Sequence, residues 1–251
     1  MAKSGGLGDF LAVAGYDISG DVGSLQSIRG GPALLDVTAI NKSAMERIGG
    51  LRDGEISFNS FFNDAALQEH VALKGLPTAD VQLMYLRGEA LASYGACMVA
   101  KQVNYDWARG EDGSLIGTIQ ALANGYGLTW GKQLTAGKDN VTGAGNGTGV
   151  DFGTGSVSFG LVAFLQVFAF TGTDVTFTIQ ESSDDAGGDP YAAVTGGAFT
   201  QVTSGPTSER IVTSLTQTVE RYLRVVRATS GGFSSCDYAV VCERHPVAVA
   251  Y

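Results

Sequence analysis

Polar and apolar side chains alternate along much of this chain. Glu55-Ile56-Ser57-Phe58-Asn59 and Asp80-Val81-Gln82-Leu83 repeat with period two, the mark of strands with one face on a core and the other wet. Further strands are expected over 92–103, 115–123 and 128–133. Between the first two strands, residues 64–74 predict a single helix. Asn63 or Asp64 caps its start, Leu67, Val71 and Leu73 supply the apolar stripe, and Gly75 with Pro77 stops it. After residue 156 the pattern is strand and turn throughout. Residues 159–170 are apolar on both faces apart from Gln166, as in a strand covered on both sides. Val175, Phe177 and Ile179 then alternate with polar neighbours, and 220–226 and 236–242 complete the long strands around Ser230-Gly231-Gly232. The expected fold is mainly β: a β-sandwich or open barrel with one flanking helix, followed by a second β-sandwich.

Two stretches interrupt this pattern. The first, 39–63, opens as a long polar segment that passes Gly49-Gly50 and runs into the strand at Glu55. It mixes Ile40, Met45, Ile48 and Leu51 with Lys42, Glu46, Arg47, Arg52 and Asp53, the composition of a segment that docks on its own domain or on a neighbouring copy. The second, 135–156, holds seven glycines and no aliphatic side chain larger than valine. All lysines lie before or at the edge of this stretch, which argues for a domain over 1–137, a glycine-rich flexible linker over 138–156 and a second β domain over 157–251.

Composition narrows the function classes. The formal charge is −9, and both halves are acidic, so a basic nucleic-acid-binding patch is not expected. Thirty-six glycines without a collagen period suit many tight turns. The first residues lack the apolar run of a secretory signal, and no stretch has the length of a membrane-spanning helix, so a protein kept in the cytoplasm is expected. Cys236 and Cys242 share one strand, too far apart to bridge, and with Cys97 they read as reduced thiols. The sequons at Asn41, Asn140 and Asn146 are then chance matches.

Catalytic signatures are sparse. His70 and His245 have no second ligand at metal spacing, and no Gly-x-Ser-x-Gly elbow occurs. The run 143–149 lacks both the spacing and the following helix of a phosphate loop. Asp184, Asp185 and Asp189 suit either a Ca²⁺ ion or, more simply, a solvated acidic turn. Trp107 and Trp130, with Tyr105 and Tyr126, suit either a sugar platform or core packing. The expectation is a protein that is not an enzyme, with no cofactor and no metal. A carbohydrate-binding β-sandwich module on a β-rich stalk, using Trp107, Trp130 and the 184–189 turn, is the alternative.

Residues 15–63 resemble the N-terminal part of major tail proteins of tailed bacteriophages, particularly long-tailed phages of actinobacteria. The matching pieces are Asp17-Ile18-Ser19-Gly20, Leu35-Asp36-Val37-Thr38, the stretch from Glu46 to Gly54 and the aromatic strand 58–62; Ser208-Glu209-Arg210-Ile211 and Tyr222-Leu223-Arg224-Val225-Val226 resemble the C-terminal β-domain of such proteins. The resemblance implies a virion protein, assembled in the host cytoplasm, whose copies form rings that stack into a tail tube for genome delivery. Its partners would be itself, a tape-measure protein and tail-terminator or tail-tip proteins, with DNA only in transit and no membrane. Asn41, Lys42, Met45, Arg47, Ile48, Leu51, Arg52 and Asp53 would then contact the next ring, Met45, Ile48 and Leu51 as anchors and Arg47, Arg52 and Asp53 as charges that set register. Glu55, Ser57, Asn59, Asp80 and Gln82 would line an acidic lumen, unless that polar face meets outside water. A negative lumen would let phosphates slide past, where a basic one would hold them. The second half would decorate the tube or repeat its fold; the lack of a second helical pattern favours decoration.

Overall fold

The alternating segments do form strands, and the computed structural model, which describes residues 6–75, 80–153 and 155–249, is mainly β. In the first half they are β1 (Phe10–Val13), β2 (Tyr16–Asp17), β3 (Val22–Asp36), β4 (Arg47–Phe61), then the helix α1 (Glu69–Leu73), then β5 (Val81–Leu86), β6 (Tyr94–Gln102), β7 (Asp106–Arg109), β8 (Leu115–Ala123) and β9 (Thr129–Gln133). Three short strands follow, β10 (Asp139–Val141), β11 (Gly145–Asn146) and β12 (Val150–Asp151). The remainder are β13 (Leu161–Thr171), β14 (Val175–Ser182), β15 (Ala192–Ala198), β16 (Thr207–Val212), β17 (Tyr222–Thr229) and β18 (Ser235–Arg244).

Both halves contribute to one 13-stranded sheet, ordered β16-β13-β18-β9-β6-β5-β1-β2, from which β8 branches off β6 and carries β7 and the β4-β3 pair. A 5-stranded sheet, β11-β17-β14-β15 with β12 on β17, lies beside it. Strand periodicity explains how the layers stack. Leu11, Val13, Leu83, Tyr85, Ala96 and Met98 turn to a core shared with Ile56, Phe58 and Ile119, while the intervening Phe10, Ala12, Met84, Leu86 and Cys97 turn the other way. There they meet Val162, Phe164 and Phe168 of β13 and Ala239 and Val241 of β18, so this middle core draws on both halves of the chain. The opposite faces of β13 and β18 pack on Phe177, Ile179, Leu223 and Val225 of the smaller sheet. Residues 159–170 are apolar on both faces because they separate two cores. Gln166 interrupts that run for a reason: fully buried, it accepts from Gly15 N–H at 2.5 Å and donates to the Gln82 carbonyl at 3.1 Å, drawing the two ends of the large sheet together into a nearly closed barrel.

Residues 138–156 depart from the expected flexible linker. β10 pairs with β18 (Asp139↔Tyr238), and β11 and β12 pair with β17 (Gly145↔Arg227, Val150↔Leu223). Val141 and Val150 enter the core. The glycines serve close approach; a Cβ on Gly147 would stand 2.8 Å from the Val225 carbonyl oxygen. The three cysteines are buried and unbridged.

The helix is shorter than expected. It spans 5 residues, and Leu67, placed in the apolar stripe, is exposed with φ of 65°. Asn63 caps a turn instead of a helix: its side chain accepts from Ala65 N–H and its carbonyl from His70 N–H. Pro77 lies outside the described residues. What fixes α1 is the buried Glu69, whose N–H donates to Asp21 Oδ2 at 3.1 Å and whose carboxylate accepts from Ser60 Oγ at 3.2 Å. Burial, with the Asp21 charge adding to it against the Ser60 hydrogen bond, pushes the Glu69 carboxyl up to about 7. The folded state therefore holds a proton there that the unfolded chain releases above about pH 4.5. The stability this contributes is fully present below that pH and is lost as pH rises through 7. Glu69→Gln should remove about 2 kcal/mol of the stability difference between pH 5 and pH 8, since each tenfold change in proton affinity on folding is worth about 1.4 kcal/mol; urea unfolding at the two pH values measures it. An unchanged difference would contradict the assignment to Glu69. Glu243, likewise raised by burial to about 7 against the opposing charge of Arg52, adds dependence of the same sign.

Candidate functional site

β3 and β4 are 15 residues each and pair from Val22↔Ser60 to Asp36↔Arg47. Near the barrel β4 also pairs with β8, but that second pairing ends at Glu55↔Leu122. Beyond it the two strands continue alone as an arm roughly 25 Å long at strand rise. The polar stretch that interrupted the sequence pattern is thus the second strand and tip of a hairpin. The tip is ordered by its own bonds: Val37 N–H donates to the Glu46 carbonyl at 3.0 Å, Glu46 N–H to Thr38 Oγ1 at 2.8 Å, and Lys42 pairs with Glu46 at 2.9 Å.

The residues expected to contact a neighbour fall into two groups. Asn41, Lys42 and Met45 lie at the tip and Arg47, Ile48 and Leu51 along β4, all exposed. Arg47 rests on the Met45 sulfur at 2.9 Å and forms no ion pair among the described residues. Arg52 and Asp53 sit at the base, also exposed; Arg52 is near enough to Glu243 and His245 for its charge to act on both, and Asp53 accepts from Gly54 N–H at 2.8 Å. The sequence reading missed Leu34, Leu35 and Val37 on β3 and just past its end, which are exposed on the same arm, with Leu35 opposite Ile48. Gly30-Gly31-Pro32 reads as a strand breaker; in the fold Gly31 takes φ of 144° and the pairing shifts register just after it. Beyond the kink the alternation of Leu35-Asp36-Val37-Thr38 was the available signal; before it Val22, Leu25 and Ile28 fall three apart because the pairing is bulged. Ile40 stands fully exposed and Leu51 is 87% exposed, so these apolar side chains of the arm are little covered by the described residues of their own chain.

Glu55, Ser57 and Asn59 share the outer face of β4, as expected of a common surface, but its charge is balanced. Glu55 pairs with Arg29. Burial alone would raise its carboxyl, yet hydrogen bonds from Ser27, Gln120, Arg29 and Ser57 hold it below the usual carboxylate range. Asp80, exposed just before β5, is bonded to Lys101 at 2.8 Å and to Asn124 at 2.8 Å, and these bonds lower its pKa too. Two of the five are buried: Glu55, beneath its own hydrogen-bond partners, and Gln82, beneath Gln166. β13 covers the sheet face there.

The sugar-binding elements are not brought together. Trp107 packs edge-on against Phe62 and Tyr105, at 5.2 and 5.3 Å between ring centres, whereas Trp130 packs on Tyr85. The 184–189 turn joins β14 to β15 in the other sheet, and its carboxylates are consumed locally, Asp184 accepting from Gly188 and Asp189 N–H and Asp189 from Ser183 N–H. His70 bonds the Tyr105 hydroxyl at 2.7 Å, and His245 Nδ1 lies 3.0 Å from the Phe159 carbonyl oxygen. No cluster of three or more His, Cys, Asp or Glu side chains among the described residues has the geometry to hold a metal ion, and none of their helices is long and apolar enough to cross a membrane.

No family model matches the chain, and no curated protein matches it in sequence. Among solved structures it is similar to a chain from the virion of a native gene transfer agent particle, at 14% identity and a TM-score of 0.41 over 51% of this chain and 98% of that one. It is also similar to the Dit protein of phage SPP1, described as a hub adsorption apparatus in phages infecting Gram-positive hosts, at 11% identity and a TM-score of 0.34 over 94% of this chain and 99% of that one. A chain of the phage p2 baseplate aligns at 10% identity and a TM-score of 0.32 over 95% of this chain and 99% of that one.

Proposed function

We propose that this chain is a structural virion protein of a tailed phage, and that its copies associate through the β3-β4 arm into rings stacked as a tail tube. The observation that carries the reading is the arm itself. A two-stranded ribbon is marginally stable alone in water, and one lined with exposed leucine, isoleucine and methionine side chains gains stability when a partner covers it. The sequence resemblance to major tail proteins falls on the same residues, since 15–63 includes both strands of the arm. β3 adds a second feature suited to lateral contact: among the described residues it pairs only with β4, leaving a long edge to which another chain's strand can add. Residues 157–251 would decorate the outer wall, having neither an arm nor a helix among their described residues.

In this reading the protein performs no catalysis and takes no cofactor. Its tube would end on tape-measure and tail-terminator or tail-tip proteins, and DNA would pass through without being held. Glu55, Ser57, Asn59 and Asp80 would form part of the lumen wall, a surface of mutually satisfied pairs that offers phosphates no unmatched cation. Negative-stain imaging of the purified chain at rising concentration tests the proposal. Rings or tubes are expected; dispersed monomers at every concentration would overturn it. Arg47→Glu, at an exposed position on the arm, should lower the yield of tubes about tenfold while leaving the circular dichroism of the subunit unchanged; tubes in normal yield would remove Arg47 from the contact.

A further inference from the structure

We propose that residues 63–75 form a strap that a protonated Glu69 holds down, and that the strap lifts off the core of the first half when Glu69 ionises. The strap joins neither sheet, so a few anchors fasten it. Asn63 Nδ2 donates to Asp21 Oδ1 at 2.8 Å, and Glu69 N–H donates to Asp21 Oδ2 at 3.1 Å. Further along, His70 Nδ1 lies 2.7 Å from the Tyr105 hydroxyl, and Gln102 Nε2 donates to the Leu73 carbonyl at 3.1 Å. These bonds seat the buried Leu73 side chain among Val13, Phe58, Leu83, Ile119 and Ala121.

Two features work against closure. Leu67 takes φ of 65°, a left-handed conformation that strains a residue with a Cβ, while its side chain stays half exposed. The second is Glu69 itself. It is fully buried; Oε1 accepts from Ser60 Oγ at 3.2 Å, but Oε2 has no hydrogen-bond partner and the carboxyl forms no ion pair among the described residues. Asp21, from the turn after β2, sets a second carboxylate beside it. Tyr105, just before β7, stays neutral, its hydroxyl pushed up to about 12 by burial and by the charge of Glu69. His70, the next residue on α1, turns its Nδ1 to Tyr105. An ionised Glu69 would thus lie buried next to a like charge with one oxygen unmatched, which the neutral acid avoids. In the closed strap burial raises its carboxyl to about 7, and lifting returns it to the ordinary value of 4.5. Closure is fully favoured below 4.5 and weakens as pH rises through 7, so the fraction of lifted straps grows about tenfold from pH 6 to pH 8. Lifting uncovers Leu73 and the core beneath it but leaves both sheets paired, which makes it a local opening.

Native-state hydrogen exchange of the full chain, resolved amide by amide, tests the strap. The Ala72 and Lys74 N–H groups bond to the Gln68 and His70 carbonyls inside it. They should open more readily than the amides of β5 and β6, and low urea should leave their opening unchanged. Between pH 6 and pH 8 that opening should increase about tenfold, after the intrinsic pH dependence of amide exchange is divided out. Glu69→Gln keeps a neutral side chain in place and should abolish the increase, with the circular dichroism spectrum of the native chain. Ala72 and Lys74 amides that open only together with those of β5 and β6 would overturn the proposal. So would native opening that is equal at the two pH values, or an increase that survives in Glu69→Gln.

Discussion

A chain in which residues 33–51 are replaced by Asn-Gly will fold, keep its thermal transition within a few degrees and stay monomeric at concentrations where the native protein assembles. The replacement joins Pro32 to Arg52, which face each other in the register of the hairpin, through a dipeptide suited to a two-residue turn. It removes the exposed leucine, isoleucine, valine and methionine side chains of the arm and leaves Arg52 beside Glu243. Exposed positions away from packed features change stability by about 0.5 kcal/mol or less each, so the fold has little to lose. Assembly has everything to lose, because the contact surface is gone. A deleted chain that still forms large particles would show that some other surface joins the copies, and one that fails to fold would show that the arm packs on its own body.

Gly15→Ala should cost about 3 to 5 kcal/mol of stability, a large share of the roughly 5 to 15 kcal/mol available to a typical domain. Two effects combine. Gly15 takes φ of 84°, where an alanine is strained by about 1 to 2 kcal/mol. Its Cβ would also stand 2.5 Å from the Thr207 nitrogen and 2.7 Å from the Val167 carbonyl oxygen, main-chain atoms of β16 and β13 that move only if the seam opens. Opening the seam also loses the bond from Gly15 N–H to the buried Gln166. Gly8→Ala separates the two effects: Gly8 has φ of 82° but nothing within 4 Å of its Cβ, so it should lose only the smaller amount. Equal losses for both variants in urea unfolding would contradict a tight closure between the hairpin of β1 and β2 and the second half.

Much of the fold was legible because strand periodicity survives in the linear order of the chain. The alternation at Glu55 and Val81, the doubly apolar run before Phe170 and the long strands near Tyr222 and Cys236 all appear where the pattern puts them. What was hidden depends on contacts distant in sequence. The expected helix was truncated because Glu69 is drawn beneath the sheet by Asp21, 48 residues earlier. The glycine-rich stretch is strand because β17 and β18, far downstream, lie ready to pair with it; glycine there answers to a neighbouring backbone and not to flexibility. Gln82 alternates correctly but is covered by β13, which no local pattern reveals. The arm was half visible: Met45, Ile48 and Leu51 stand out by their odd company of charges, while Leu34 and Leu35 were masked by Gly31-Pro32. The expectation of an acidic lumen rests on net charge, which does not record that Glu55 and Asp80 meet Arg29 and Lys101.

On the function proposed above, the arm exists to be covered by another copy of the chain. Sedimentation velocity of the native and arm-deleted proteins, run as matched concentration series in one buffer, tests it most directly. The native chain should move from a slow subunit boundary to fast, polydisperse assemblies as concentration rises, while the deleted chain keeps a single slow boundary throughout. A native chain that stays at the subunit boundary across the series, or a deleted chain that assembles alongside it, would contradict the account.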